Sequence, residues 1–227
     1  MSLPLVLLGF LQSQNYPDFQ VLHLDSPQSS PLFLHTMSEQ DRFMAIIDSN
    51  LDVQWHVSSS HMGLDFKVNQ NHLSYYNKLE GSWILANQVM KEIDTLRCEG
   101  TVVADYHDIQ ILENGNYILQ AYDSIFVDMS TIVDGGQPVT WIKGILVIQM
   151  FDINDELISE WNAWDHLDIS QYTNLNLESN AIAWMHGNSI EWDGNNQILV
   201  SNRASNEILK IDLLSGEVLW HIGGPLN

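Results

Sequence analysis

The chain has 227 residues, 45% of them hydrophobic and 10% aromatic, which is enough to bury the core of one large domain or two small ones. Its 29 acidic residues against 8 basic ones give a net charge of −21, which opposes binding to nucleic acid and to anionic membranes. The single cysteine, Cys98, excludes an intramolecular disulfide and a cysteine-based zinc site. Such a surface suits an extracytoplasmic protein, periplasmic or secreted.

Residues 1–30 are treated as an N-terminal segment, because they begin with the apolar run "MSLPLVLLGFLQSQ". This run has the length of a signal-peptide core, but no basic residue precedes it. It is therefore interpreted either as an export signal or as a buried first strand. It is too short to cross a bilayer, so no stable membrane span is expected.

From residue 31 to 227, short runs rich in Val, Ile, Leu and Tyr alternate with turn signals, which is typical of strands. One unit recurs four times: an apolar strand that reaches Asp, a turn, and a second strand that usually ends at Trp. The copies are "IIDSNLDVQW" (46–55), "EIDTLRCEGTVV" (92–103), "MFDINDELISEW" (150–161) and "KIDLLSGEVLW" (210–220). Their aspartates, separated by 46, 58 and 60 residues, are Asp48, Asp94, Asp152 and Asp212.

A second unit also repeats, as "HDIQILENGNYIL" from His107 and "HGNSIEWDGNNQIL" from His186. In both copies a glycine, Gly115 or Gly194, follows the histidine by eight positions. Repeats of this kind predict an all-β chain, a β-propeller with about four blades represented. The first unit would form the outer hairpin of a blade and the second the inner one. Because inner strands begin near the propeller axis, the two histidines are predicted to converge.

Several catalytic motifs are missing from the sequence. It contains no Gly-x4-Gly-Lys-Ser/Thr loop, no Gly-x-Ser-x-Gly elbow and no His-Glu-x-x-His. These absences argue against a Walker-type nucleotide site, an ordinary serine hydrolase and a zincin.

The remaining candidates are histidines together with Arg203, at the exit of the strand "QILVSNR". A hairpin would return Arg203 towards His186. Paired histidines with an arginine suit transfer of an anionic XO3 group, because the guanidinium matches two oxygens and an imidazole can attack or donate a proton. The same side chains could hold a metal ion, and the pattern leaves both readings open.

The longer segments that carry these residues resemble one family. They are "DYHDIQILENGNYIL" (105–119), "EWNAWDHLDI" (160–169), "MHGNSIEWDGNNQILVSNRASNEILKID" (185–212) and "GEVLWHIGG" (216–224). They resemble the arylsulfotransferases, the aryl-sulfate sulfotransferases that are PAPS-independent and so use no nucleotide sulfate donor.

The resemblance implies a six-bladed propeller that transfers a sulfuryl group from an aryl sulfate to a phenol through a histidine intermediate. It implies these two small-molecule partners and no cofactor or metal. Carried over by position, it makes His107, His186 and Arg203 catalytic, with His166 and Asn188 as substrate-binding residues.

One departure bears on activity. The family nucleophile lies in a Gln-His-Asp motif beyond a Trp-x-x-Gly-Gly segment, and these 227 residues contain no Gln-His-Asp. The expectation is a truncated copy whose closing blades come from further sequence or from a homo-oligomer. Two alternatives remain: a non-catalytic propeller that binds a ligand or partner, and a metal-dependent hydrolase of the lactonase type with Asp108 and Asn188 as ligands.

Overall fold

In the computed structural model the chain is nearly all β. The residues that it describes are 20, 22, 30–36, 42–59 and 62–225. The proposed N-terminal segment, 1–30, therefore lies outside the described residues except at positions 20, 22 and 30. The described strands form four successive sheets of three to five strands. The prediction of an all-β chain with about four propeller blades is confirmed.

The chain divides into two compact units, of which the first comprises residues 1–80 and 84–95. Its strands form a three-stranded and a four-stranded antiparallel sheet, each ordered as in the sequence. The strands are β1 (Leu32–His35), β2 (Phe43–Ile47), β3 (Val53–Ser58), β4 (Met62–Asn69), β5 (His72–Asn77), β6 (Ser82–Ala86) and β7 (Glu92–Leu96). Its core is aromatic, because the Phe66 ring meets Phe33 and Tyr75 edge to face at centroid distances of 5.3 and 6.2 Å.

The second unit comprises residues 81–83 and 96–227 and holds the other two sheets. One sheet has the order β11-β10-β9-β8 with β12 parallel to β10, and the other has the order β13-β14-β15-β16. Their elements are β8 (Val103–Ile111), β9 (Tyr117–Val127), β10 (Thr140–Phe151), β11 (Leu157–Asn162), α1 (Ala163–His166), β12 (Ala181–Ala183), β13 (Gly187–Trp192), β14 (Gln197–Asn202), β15 (Glu207–Asp212) and β16 (Val218–Gly223). Single 3₁₀ turns occur at Met129–Thr131 and Ile169–Gln171.

Burial explains the two strand patterns of this unit. Central strand β10 is buried without interruption from residue 145 to 151, which accounts for its continuous apolar run. Strand β14 instead buries every second residue, namely Ile198, Val200 and the polar Asn202. Within the described part of the chain, no helix is both long and apolar enough for a membrane crossing.

The aspartates of the repeated outer hairpins cap their turns. In each turn one carboxylate oxygen accepts two backbone N–H groups that follow it within four residues. This holds for Asp48 (2.9 and 3.0 Å), Asp152 (2.8 and 2.9 Å) and Asp212 (3.1 and 3.0 Å). These backbone hydrogen bonds lower the pKa of Asp152 and of Asp212, because they favour the charged form.

The prediction that Asp94 is the fourth member of this series is wrong. Asp94 lies within β7, and its side chain accepts only the next backbone N–H, from Thr95, at 2.7 Å. The equivalent turn is built by Asn87, whose side-chain oxygen accepts N–H from Val89 at 3.0 Å and from Lys91 at 3.1 Å. An amide oxygen has the same acceptor geometry as a carboxylate oxygen, so the turn survives the change of residue.

Asp108 links the first strands of the two sheets in the second unit. One carboxylate oxygen accepts its neighbour Ile109 N at 2.8 Å, and the other accepts Ile190 N of β13 at 2.7 Å. The side chain is buried, so both bonds form away from water. The carboxylate thus joins β8, which carries His107, to the strand that follows His186.

We expect Asp108→Asn to lower the free energy of unfolding by about 1–3 kcal/mol, because one buried N–H loses its acceptor. Urea denaturation measures this change. Asp123→Asn is the matched control, since its carboxylate also accepts the following N–H, from Ser124 at 2.7 Å, but makes that bond at an exposed position. Equal losses in both variants would contradict a special role for the bond to Ile190.

Candidate functional site

A wide bulge in β8 carries His107. The pairing of β8 with β9 passes directly from Ala104 to Ile109, so residues 105–108 lie opposite Gln120 alone. Bulges of this kind re-aim side chains and are frequent beside active sites. Here the bulge turns the His107 side chain out of the ladder.

Asp105 fixes the His107 ring. Its Oδ1 atom accepts the backbone N–H of His107 at 3.0 Å and lies 2.5 Å from His107 Nδ1. Gln120, which is fully buried, donates to the same oxygen through Nε2 at 3.1 Å. A carboxylate in this position holds the proton on Nδ1 and leaves Nε2 of the neutral ring as an acceptor.

His186 is held by backbone bonds immediately before β13. Its N–H donates to Asn202 Oδ1 at 2.9 Å, and its carbonyl accepts the backbone N–H of Arg203 at 2.8 Å. Both partners lie where β14 ends, so the β13–β14 hairpin returns Arg203 to the start of β13. The structure therefore brings His186 and Arg203 together as the hairpin argument requires.

The imidazoles of His107 and His186 meet directly. Their Nε2 atoms are 3.2 Å apart, and the rings are nearly perpendicular with centroids separated by 4.7 Å. One of the two nitrogens must carry a proton for this contact to be a hydrogen bond. Burial, then the electrostatic effects of the neighbouring His107 and Arg203, lower the pKa of His186, and Asp105 opposes them. These effects favour the neutral form of the His186 ring.

Glycine is required at position 187 by close packing. A Cβ there would lie 2.6 Å from Gln120 Oε1 and 2.9 Å from Leu146 Cδ1. The Gly187 carbonyl also accepts the Tyr122 hydroxyl at 3.0 Å. Burial, followed by the nearby Asp105 charge, raises the pKa of Tyr122, which therefore remains a hydrogen-bond donor.

Arg203 lies exposed in the turn between β14 and β15. Arg203 would have only a surface role if it formed an ion pair with Glu207. Glu207, however, is buried and accepts hydrogen bonds from Asn202 and Ser205. The electrostatic effect of Arg203 reaches His186 instead. The Arg203 guanidinium is therefore a positive charge close enough to act on the histidine pair.

His166 is not brought to this cluster. It ends α1, where its ring stacks on Trp161 at a centroid distance of 5.6 Å and packs against Gly216. Gly216 lies in the β15–β16 turn, whereas His186 contacts the opposite end of the same sheet. The position of His166 thus gives no support to its predicted contact with substrate.

Asn188 and Asp108 occupy different surroundings. Asn188 lies exposed at the β13 bulge, two residues after His186, so it borders the site. Asp108 faces the strands and uses its carboxylate for backbone bonds, which leaves it poorly placed as a metal ligand. In the described part of the chain no group of three His, Cys, Asp or Glu side chains is arranged to hold a metal ion.

Cys98 is unsuited to nucleophilic chemistry. Burial, assisted by the negative charge of Glu160, raises the pKa of its thiol to about 12. A reactive cysteine needs a lowered pKa, since the thiolate is the nucleophile.

Sequence reasoning missed the residues that hold the site. They are Asp105, Tyr106, Gln120, Tyr122, Asn202 and Glu207. Tyr106 is partly exposed and stacks on His107 with centroids 4.3 Å apart. The Asp-Tyr-His spacing at 105–107 could have indicated the pairing of Asp105 with His107. The contacts of Asp105 with Gln120 and of Tyr122 with Gly187 join residues distant in sequence and left no local signal.

The fold and site define an all-β, propeller-type chain in which two imidazoles and an arginine lie together. The sequence matches the profile of the arylsulfotransferase (ASST) family over residues 20–226, and the chain belongs to that family. The resemblance noted from the motifs is thereby confirmed. No curated protein matches the chain significantly.

Three solved structures that are similar to part of this chain are remote from it in sequence. A Bacteroides caccae protein of unknown function is 12% identical, with a TM-score of 0.47 over 87% of this chain and 58% of that one. Myxococcus xanthus glutaminyl cyclase is 14% identical, with a TM-score of 0.43 over 86% and 66%. The Pan2 WD40 domain of Neurospora crassa is 11% identical, with a TM-score of 0.46 over 87% and 47%. The chain thus spans about half to two thirds of the length of these relatives.

We expect Asp105→Asn to redistribute the His107 proton from Nδ1 to Nε2, because the carboxylate acceptor is lost. Nitrogen-15 NMR of histidine-labelled protein distinguishes the two tautomers. Asp123→Asn, a charge-matched change outside the bulge, should leave the His107 signals unchanged. An unaltered tautomer in Asp105→Asn would contradict the role assigned to Asp105.

Proposed function

We propose that this chain supplies the sulfate-binding and proton-transferring part of an aryl sulfotransferase. Its substrates would be an aryl sulfate donor and a phenol acceptor, and membership of the family supports this general function. The observation that carries the proposal is the 3.2 Å contact between His107 Nε2 and His186 Nε2, with Arg203 beside it. We further propose that the protein works outside the cytoplasm, as its acidic composition suggests.

The sulfuryl group presents three oxygens that carry negative charge, and these are what the site can recognise. The Arg203 guanidinium can donate to two oxygens, and a protonated imidazole can donate to a third or to the bridging oxygen. Local donors must prevail over a chain charge of −21, which they can do at short range because distant charges are screened by salt.

In the proposed reaction the bond from sulfur to the donor's aryl oxygen breaks as sulfur bonds to the nucleophilic histidine that the family resemblance implies, and the departing phenolate takes a proton from the histidine pair. The sulfur–oxygen bond to the acceptor then forms as the sulfur–nitrogen bond breaks, and the acceptor's phenolic proton returns to the pair. An aryl sulfate and a phenol thus exchange one sulfuryl group, with no net change in protons. The family resemblance adds a sulfated histidine between the two steps.

The proposal gives His107 and His186 binding and proton-transfer roles and does not make either one the nucleophile. The histidine that the family sulfates belongs to a Gln-His-Asp motif absent from these 227 residues. A propeller that binds sulfate esters without turning them over is therefore the second candidate function. Measuring binding and turnover separately distinguishes the two.

The first test uses 4-nitrophenyl sulfate with the 227-residue chain. Calorimetry measures binding, and release of 4-nitrophenol in the presence of phenol measures turnover. We expect Arg203→Gln to weaken binding by about tenfold or more, because a charge-assisted bidentate contact is removed. Binding without turnover would favour the second candidate, and absence of binding would contradict both.

Lys210→Gln is the matched control for Arg203→Gln. It removes one positive charge from the same sheet, but Lys210 is paired with Asp193 at 2.5 Å. Its affinity for 4-nitrophenyl sulfate should stay within about twofold of the wild type, since salt screens distant charges. An equal loss in both variants would mean that Arg203 acts only through net charge.

The lowered pKa of His186 predicts how binding depends on pH. Burial, then neighbouring charges, lower the pKa of His186 from its ordinary value, so the neutral ring is favoured before a ligand binds. A bound sulfate ester favours the protonated ring, so affinity should rise as pH falls from 7 through the pKa of the free site. Calorimetry at several values between about pH 5 and about pH 8 measures how the affinity depends on pH. His186→Gln should flatten this dependence, and an affinity that falls with decreasing pH would contradict the assignment.

A further inference from the structure

A buried carboxylate lies beneath the turn that carries Arg203. Glu207 begins β15 and is 3% exposed, and it pairs in register with Asn202, which ends β14 and is 1% exposed. Gly224 closes over it, since a Cβ at that position would lie 2.9 Å from Glu207 Oε2. Its Oε1 accepts two hydrogen bonds, which offset part of the cost of burying the carboxylate.

Those hydrogen bonds fix the orientation of the Asn202 amide. Asn202 Nδ2 donates to Glu207 Oε1 at 3.0 Å and to Ser205 Oγ at 2.6 Å. The Ser205 hydroxyl also donates to Glu207 Oε1. With its nitrogen committed to the carboxylate, the amide must present its oxygen in the other direction.

The oxygen of Asn202 faces the site. It accepts the backbone N–H of His186 at 2.9 Å and that of Ala204 at 3.3 Å. Arg203, which lies between Asn202 and Ala204 in the chain, donates its own N–H to the His186 carbonyl. One side-chain oxygen therefore sets both where the His186 backbone starts β13 and how the Arg203 turn closes.

We propose that Glu207 is a positioning residue, which acts through the Asn202 amide to hold His186 and Arg203 together. This inference rests on the proposed function, because it assigns Glu207 an effect on the binding of sulfate esters. Glu207 is buried and accepts hydrogen bonds from Asn202 and Ser205, so it acts on the site through these neighbours and not by touching the substrate. The buried Tyr172 hydroxyl lies near the carboxylate, but neither that hydroxyl nor Glu207 Oε2 has a hydrogen-bond partner among the described residues.

The test exploits the direction of the Asn202–Glu207 hydrogen bond. Glu207→Gln places a carboxamide against the Asn202 amide nitrogen, and Asn202→Asp places two carboxylates together. The double variant N202D/E207Q reverses donor and acceptor, so that the new amide nitrogen can donate to the new carboxylate. The aspartate's second oxygen remains free to accept the His186 N–H.

Two readouts are measured on the full chain. The first is the backbone N–H resonance of His186 in histidine-labelled protein, assigned with His186→Gln, and the second is the dissociation constant of 4-nitrophenyl sulfate. We expect Asn202→Asp to shift that resonance and weaken binding about tenfold, with a smaller change of the same sign in Glu207→Gln. The double variant should recover most of both. Glu191→Gln, at an exposed position of β13, should match the wild type.

The outcomes separate this inference from the proposed function. A wild-type chain that does not bind 4-nitrophenyl sulfate defeats the proposed function, while the His186 resonance still tests the positioning role. A His186 resonance unchanged in both single variants overturns the positioning role, whatever happens to binding. So does a double variant in which the two losses add instead of cancelling, since additivity means that the residues act independently.

Discussion

The bulge at residues 105–108 is the constraint on which the site depends. It sets Asp105 against Gln120 at one end, and at the other it lets Asp108 accept an N–H from β13. His107 lies between these two buried anchors, so its ring has little freedom to turn away. Removing the extra residues would restore a regular ladder and return the side chains to alternate faces of the sheet. The irregular pairing of β8 with β9 is thus what fixes the orientation of the His107 imidazole.

The acidic chain and its cationic site are consistent with each other. Charges spread over the surface act weakly beyond about 10 Å at moderate salt, whereas Arg203 and the histidines lie within contact range of one another. The lowered pKa of His186 favours its neutral form, which limits repulsion between adjacent cations. Under the proposed function, the centre would gain positive charge when an anion binds and lose it when the anion leaves.

The repeated hairpin units made most of the fold predictable from the sequence, together with the positions of His107 and His186. The Asp-turn units and the His-x7-Gly units mark hairpins because local hydrogen bonds and glycine conformations determine turns. The prediction for Asp94 was wrong because its sequence resembles the other copies, whereas the equivalent turn is built by Asn87. His166 looked equivalent to the other histidines, yet α1 places it beside Trp161 and Gly216.

By itself the sequence determined the family, the all-β class, the hairpin repeat and the grouping of His107, His186 and Arg203. Strand alternation and turn chemistry act over a few residues, so they can be read locally. Only the tertiary structure decided that the two imidazoles meet through Nε2, that Asp105 orients the His107 ring, and that the Asn202 side chain accepts the His186 backbone N–H. Those contacts depend on register and on the packing of neighbouring sheets, which join residues as far as 79 positions apart.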